Sequence, residues 1–258
     1  MIKKISYFFY KILLTLDKIF QLITKRSILN WFKDFFQKDS YKKISILNKK
    51  VNFFIPNQLT DWRIETFFTK EPETLEWIDS FEKKDKIIFW DIGANIGLYS
   101  IYSVLRNENV STISFEPSTS NLRVLSRNIS INNLENKIDI YNYGLSSVSK
   151  NIFGLLRKKG NLKQAAGFNI SGEGNIKISV KKCDEIIQFH NQNICIKCDV
   201  EGHELEAFKG MEKLLKDNRC FLQIEIWEDN YQELNQYLID TGYKFTKKII
   251  GEYYYQNF

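Results

Sequence analysis

A chain of 258 residues that is 43% hydrophobic and 26% charged has the composition of a globular protein large enough to bury a substantial core. Its formal net charge of +6 is unevenly spread: residues 1–50 hold 12 Lys and Arg against 3 Asp and Glu, and the other 208 hold 25 against 28. A mildly acidic body behind a basic N-terminus argues against a nucleic-acid-binding protein.

Residues 1–38 read as one or two amphipathic helices. Ile5, Phe8, Ile12, Leu16, Ile19 and Ile23 recur at helical spacing, and Lys4, Lys11, Lys18 and Lys25 recur along another face. Charges interrupt every apolar run, so no stretch of about 18 apolar residues is available to cross a membrane. Two roles are open: packing on the body or on a second subunit as a homo-oligomer contact, or lying peripherally on an anionic membrane. Strands are expected over 43–47 and 51–55, around Asn48-Lys49-Lys50. They complete an N-terminal appendage, residues 1–60, ahead of a main domain over 61–258. Pro72 suits the first turn of a helix. Arg63 and Glu71 could face the ligand, but a surface ion pair is the favoured reading.

The stretch from Ile87 to Ser100 organises the rest. An apolar run suited to a buried strand ends at Asp91, and a glycine-spaced turn leads into a helix over 98–105. Strand, Gly-turn and helix make a nucleotide site at the carboxyl edge of a doubly wound sheet. The spacing is D-x-G-x-x-x-G, through Asp91, Gly93 and Gly97, and not the G-x-G-x-x-G of a dinucleotide site. A carboxylate at the strand tip repels a pyrophosphate but suits a cationic ligand. The pattern favours S-adenosylmethionine; a dinucleotide and an ordinary strand-to-helix turn are the alternatives.

A second buried strand over 111–116 ends in Glu116, 19 residues beyond Gly97. An acid there can accept hydrogen bonds from both ribose hydroxyls, of NAD or of S-adenosylmethionine alike. Pro117 ends the strand, and a helix over 118–132 has Ser118 as its N-cap. A third strand over 137–143 places Asn142, Gly144 and Leu145 as adenine contacts. Residues 146–182 break the alternation. Strands over 151–156 and 176–182 flank a loop with Gly160, Gly167, Gly172 and Gly174 and with Arg157, Lys158, Lys159 and Lys163. Such a length suits a lid-like insertion. Its basic residues either meet an anionic acceptor or form a solvated face.

A fourth strand over 194–199 runs into Asp199-Val200-Glu201-Gly202-His203-Glu204, which sets Asp199, Glu201 and His203 at the active edge of the sheet. A helix over 205–215, a strand over 221–227, a helix over 229–240 and a hairpin over 243–256 follow. Cys183, Cys195, Cys198 and Cys220 read as buried structural thiols, because Cys195 and Cys198 lie three apart in a strand and so face opposite ways. Without a visible signal peptide, a reducing cytoplasm is expected, with the inner membrane face as a peripheral location.

The order of elements resembles the α/β, Rossmann-like, seven-stranded class I methyltransferase sheet, mostly parallel with a closing antiparallel hairpin. Within that fold the chain resembles the FkbM family of methyltransferases. The likeness rests on Asp91-Ile-Gly-Ala-Asn-Ile-Gly97 with Tyr99-Ser100, on Phe115-Glu116-Pro117, on the run from Lys197 to Glu206, and more weakly on Ile224-Glu225-Ile226. Lys197-Cys198 departs mildly from the family pattern. The resemblance implies S-adenosylmethionine as cofactor, held by Asp91, Gly93, Asn95, Gly97, Tyr99 and Glu116. It also implies methylation of a hydroxyl on a small-molecule or glycan acceptor, commonly a sugar, here a precursor of surface polysaccharide. A non-sugar acceptor, or a non-catalytic membrane-associated module, is the alternative. Asp199, Glu201 and His203 are the candidates to orient the hydroxyl or take its proton; otherwise Glu201 and His203 only cap the following helix. No metal is expected. A nicotinamide-dependent oxidoreductase would need a glycine fingerprint and a catalytic pair that are not placed here.

Overall fold

The structure is a computed structural model and describes residues 1–156, 168–169 and 176–258. The glycines and basic residues named above for the 157–175 loop lie outside the described residues. In chain order the elements are α1 (Ile2–Thr24), α2 (Ile28–Asp39), β1 (Tyr41–Ile46), β2 (Lys49–Phe54), α3 (Gln58–Glu65), α4 (Phe67–Lys70), α5 (Pro72–Asp79) and β3 (Ile87–Ile92). Next come α6 (Leu98–Arg106), β4 (Val110–Phe115), α7 (Thr119–Ser130), β5 (Ile138–Tyr141), β6 (Gly144–Leu145), β7 (Lys150–Leu156), β8 (Phe168–Asn169) and β9 (Ile176–Lys181). The chain closes with β10 (Asn193–Cys198), α8 (Glu204–Lys209), α9 (Glu212–Asp217), β11 (Arg219–Glu225), α10 (Tyr231–Asp240), β12 (Lys244–Ile249) and β13 (Glu252–Gln256).

Seven strands form one sheet in the order β12-β13-β11-β10-β3-β4-β5. The five from β11 to β5 are parallel, and β13 runs antiparallel to both β11 and β12. From β3 the chain steps outward through β4 and β5, then returns to the other side of β3 as β10 and continues to β11. The strand order therefore reverses between β3 and β10, where an open α/β sheet leaves a crevice at its carboxyl edge.

The two faces of the sheet bury separate cores. Phe89, Cys195 and Tyr254 belong to one; Trp90, Cys198 and Tyr255 belong to the other. Cys195 and Cys198 thus face opposite ways, as strand alternation requires, and all four cysteines are buried and free. The β1–β2 hairpin adds Ile46, Val51, Phe53 and Phe54 to the first core. It is fastened to α7 by Phe54 N–H donating to Asn128 Oδ1 at 2.8 Å and Asn52 N–H donating to Asn132 Oδ1 at 3.0 Å.

One row through the first face is polar. Ser114, Asp91, Lys197, Gln223 and Tyr254 are register neighbours on β4, β3, β10, β11 and β13. All five are at most 2% exposed. Ser100 on α6 joins Asp91 to Ser114, at 2.5 and 2.9 Å, and Gln223 Nε2 donates to Thr74 Oγ1 and to Tyr254 Oη.

The expected helix over 205–215 is two short helices. The break falls at Gly210, where a Cβ would stand 2.0 Å from the carbonyl oxygen of Ser146. A side chain there would collide with the segment that follows β6. The expected strands over 151–156 and 176–182 are β7 and β9, which pair antiparallel in a second sheet, β6-β9-β7-β8; the pairing of β9 with β6 across the insertion was not expected, because β6 is two residues long.

Candidate active site at the switch point of the sheet

The crevice has two compartments that share Gly93, Asn95, Asp199 and Glu201. The smaller, about 60 Å³, lies between the ends of β3 and β4 and the β6 strand, against Phe115, Glu116, Gly144 and Leu145. The larger, about 340 Å³, opens under α3 and α4, against Trp62, Arg63, Lys70, Glu71, Tyr99, Lys197, Glu225 and Trp227.

The β3–α6 turn separates them. Gly93 has φ +87°, and a Cβ there would lie 1.9 Å from the Asp199 carbonyl oxygen, so the close approach of β3 to the end of β10 requires glycine. Gly93 and Ala94 N–H both donate to the Phe115 carbonyl at 3.0 Å. Asn95 adopts φ +54°, a conformation asparagine tolerates. Its N–H donates to Glu116 Oε2 at 2.8 Å, and its Oδ1 accepts from Arg63 Nη1 at 2.5 Å. Glu116 Oε1 accepts from Ser118 N–H at 2.7 Å. Burial outweighs these bonds and pushes the Glu116 carboxyl up to about 7. Asn121 also hydrogen-bonds this carboxyl, which leaves room for a further donor from a ligand.

Asp91 does not line either compartment. It is 1% exposed beneath the turn, bonded to Ser100, and burial raises its pKa while Lys197 opposes the shift. Asn142 is exposed and lines neither compartment. Gly97 has φ +82° and N-caps α6; a Cβ there would strike Leu125.

The larger compartment holds a cluster of charges around Lys197. This lysine is 2% exposed, 3.6 Å from Asp199 Oδ2 and 5.0 Å from the centre of the Tyr99 ring. Burial would lower its pKa, but Asp199, Glu71 and Glu252 hold it well above the usual lysine value. Glu71 pairs with Lys70 and accepts from Tyr99 Oη at 2.7 Å. Lys197, Lys70 and those bonds overcome burial and keep its carboxyl down at about 2. The negative charge of neighbouring Asp199, together with burial, lifts the Glu225 carboxyl up to about 9, against the opposing charge of Lys197. Glu225 thus keeps its proton beside the Asp199 carboxylate.

The Asp199–Glu204 run divides its work. Asp199 and Glu201 line both compartments. Glu201 and Gly202 take φ +55° and +101°, a sparsely populated backbone for a glutamate. Glu204 is 1% exposed and braces that turn by accepting from Gly202 N–H at 2.9 Å. His203 points away from both compartments: its Nε2 lies 3.1 Å from Ser146 Oγ, and burial lowers its pKa. Of the two readings of Arg63 and Glu71, the favoured surface ion pair is corrected: both line the crevice, as the alternative had it, and bond Asn95 and Tyr99. Lys197 and Glu225 carried a sequence signal only as parts of family-like runs, and Lys70 carried none. No cluster able to hold a metal ion occurs among the described residues.

Comparison with known proteins agrees with this architecture. The Methyltransferase FkbM domain matches residues 91–245. The chain is 26% identical over 192 residues to the methyltransferase sdnD of Sordaria araneosa, covering 61% of this chain and 73% of that protein. It is 27% identical over 168 residues to the hexuronic acid methyltransferase AglP of Haloferax volcanii, covering 64% of this chain and 65% of that one. The crystal structure of an FkbM methyltransferase from Methylobacillus flagellatus aligns with a TM-score of 0.49 and 18% identity, over 77% of this chain and 54% of that one. With the domain matched from Asp91 to the start of the closing hairpin's first strand, the chain belongs to the FkbM methyltransferase family.

Proposed function

We propose that the chain transfers a methyl group from S-adenosylmethionine to a hydroxyl of a sugar or glycan precursor. The observation that carries the reading is the Asp199–Glu225 carboxyl pair in the compartment next to Glu116. The residues present fit the cofactor. Glu116 offers its remaining acceptor capacity to a ribose hydroxyl, with Phe115, Gly144 and Leu145 as walls for a purine. Asp199, Glu201 and Glu71 suit a cationic ligand beside it.

When bound, S-adenosylmethionine supplies a methyl group on a cationic sulfur. The chain's part is to orient the acceptor and receive a proton. An acceptor hydroxyl in the larger compartment gives its proton to the carboxylate of Asp199 as its oxygen takes the methyl group, and Lys197, 3.6 Å from Asp199, offsets the negative charge that develops on that oxygen. Glu201 positions the acceptor from the shared wall. Holding the oxygen in line at near-attack distance supplies much of the rate. Arg63, Lys70 and Lys197 stand against the carboxylates of Glu71, Asp199 and Glu201, with Glu225 holding its proton. That balance suits an acceptor of modest charge and disfavours a polyanion such as nucleic acid. The similarity to a hexuronic acid methyltransferase favours a sugar.

The test is calorimetric titration with S-adenosylmethionine, followed by radiolabelled methyl transfer to a panel of nucleotide sugars, hexuronates and non-sugar hydroxyl compounds. Incorporation into a sugar that Asp199→Asn abolishes supports the proposal. Incorporation only into non-sugar acceptors removes the sugar assignment. A folded chain that does not bind the cofactor overturns the reading.

A further inference from the structure

The N-terminal hairpin presents an apolar surface that the body does not cover. On α1, Ile5, Phe8, Ile12, Leu16, Ile19 and Ile23 are between 40% and 78% exposed. The side of α1 turned to α2 is a different one, marked by enclosed Asp17 and by partly covered Leu14 and Phe20. α2 adds exposed Trp31, Phe35 and Phe36. The two helices are locked as one unit by Asp17. Its Oδ1 accepts from Ile28 N–H at 2.6 Å and from Leu29 N–H at 3.1 Å, and its carboxylate also takes Ser27 Oγ and Gln21 Nε2. A side chain of α1 thus caps the first turn of α2, so the apolar surface is rigidly displayed.

Charge selects the occupant. Residues 1–39 carry eight Lys and Arg against three Asp and Glu, and one of those three acids is the enclosed Asp17. Lys4, Lys11 and Lys18 form a row on α1 beside its apolar face and are exposed. A second copy of this surface would bring like charge to like charge. An anionic bilayer reverses that sign and accepts the apolar face, and tyrosine and tryptophan are favoured at its interface. No helix among the described residues is long and apolar enough to cross a membrane, which leaves the hairpin lying in the surface.

We propose that the α1–α2 hairpin is a docking element for an anionic lipid surface, with the face through Phe8, Ile12, Leu16 and Ile19 inserted and the row of lysines against the headgroups. The inference does not depend on the methyl-transfer reading.

Flotation of the full chain with vesicles tests it, using phosphatidylcholine alone and phosphatidylcholine with about a third phosphatidylglycerol. The expected result is binding to the anionic vesicles at least about tenfold stronger than to the neutral ones, weakened by salt. The double variant Ile12→Glu/Leu16→Glu should lose that binding. So should Lys4→Glu/Lys11→Glu/Lys18→Glu, and both should keep the cooperative thermal unfolding of the parent. Those substitutions lie at exposed positions, and the triple variant leaves the apolar face intact. Three results would overturn the proposal: no flotation with anionic vesicles, equal flotation with neutral ones, or a dimer in sedimentation that the double variant dissolves.

Discussion

Asp199 just past β10 and Glu225 at the end of the neighbouring β11 face the same compartment, and Asp199 stands 3.6 Å from buried Lys197. Glu225 holds its proton in the folded chain up to about pH 9, against an ordinary value of 4.5. A raised carboxyl contributes stability that is complete below the unfolded value and is lost as pH rises through the folded one. Alkaline conditions should therefore loosen the crevice and depress turnover. Glu225→Gln keeps the hydrogen bond without the ionisation. Its expected signature is a pH–rate profile without the alkaline limb and with turnover near neutral pH within about threefold of the parent. A profile that keeps the limb would remove the pair from the reaction.

Cofactor affinity should also follow pH, through Glu116. Its carboxyl is raised to about 7 by burial, and a ribose diol donates to the ionised form. Calorimetry from about pH 6 to about pH 8 should show binding strengthen by about tenfold. Glu116→Gln should bind weakly and show none of that dependence.

Lys197 neutralises more than one acid, so removing it leaves several unpaired. Lys197→Met should cost about 3–5 kcal/mol in chemical denaturation, the usual result of breaking a buried ion pair from one side. Adding Glu71→Gln should recover part of that loss. The two substitutions act on one network, so the double variant should be less destabilised than the sum of the singles.

Gly93 and Gly242 both have positive φ, at +87° and +94°. Only Gly93 is hemmed in, since nothing lies within 4 Å of a Cβ at Gly242. Gly242→Ala should cost about 1 kcal/mol from backbone conformation alone. Gly93→Ala should cost at least about twice as much and abolish cofactor binding, because Asp199 must move. Denaturation midpoints and calorimetry separate the two effects.

His203 is expected to be silent in the chemistry. Its ring meets Ser146 and lies outside both compartments. His203→Ala should leave turnover within about threefold and lower stability by about 1 kcal/mol for the lost contact. A thousandfold loss of turnover with an unchanged melting temperature would return His203 to the list of catalytic groups.

The alternation of apolar strands and amphipathic helices made the seven-stranded sheet legible, because strand and helix periods are written in local sequence. The β3–α6 turn was legible for the same reason: positive φ at Gly93 and Gly97 is a local demand. What local pattern does not encode is which way a polar residue faces once the chain has turned. Glu201 and His203 are two apart in the run, yet one lines the crevice and the other meets Ser146. The strained backbone at Glu201 and Gly202 rotates them apart, and no spacing rule anticipates it. Arg63 and Glu71 precede the sheet by more than a dozen residues, and only the folding of α3 and α4 over its edge brings them in. Lys197 reads as an ordinary strand residue until β3, β11 and β13 supply its neighbours.

The four cysteines have a practical corollary. Each is enclosed in one of the two cores, and burial pushes every one of their thiols above the ordinary cysteine value. A maleimide or nitroxide reagent finds little thiolate to attack there. The natural chain is therefore a dark background for site-directed labelling. A single cysteine placed along α1 would be the one fast-reacting thiol, and a spin label on it would report the depth of each helical turn below a lipid headgroup.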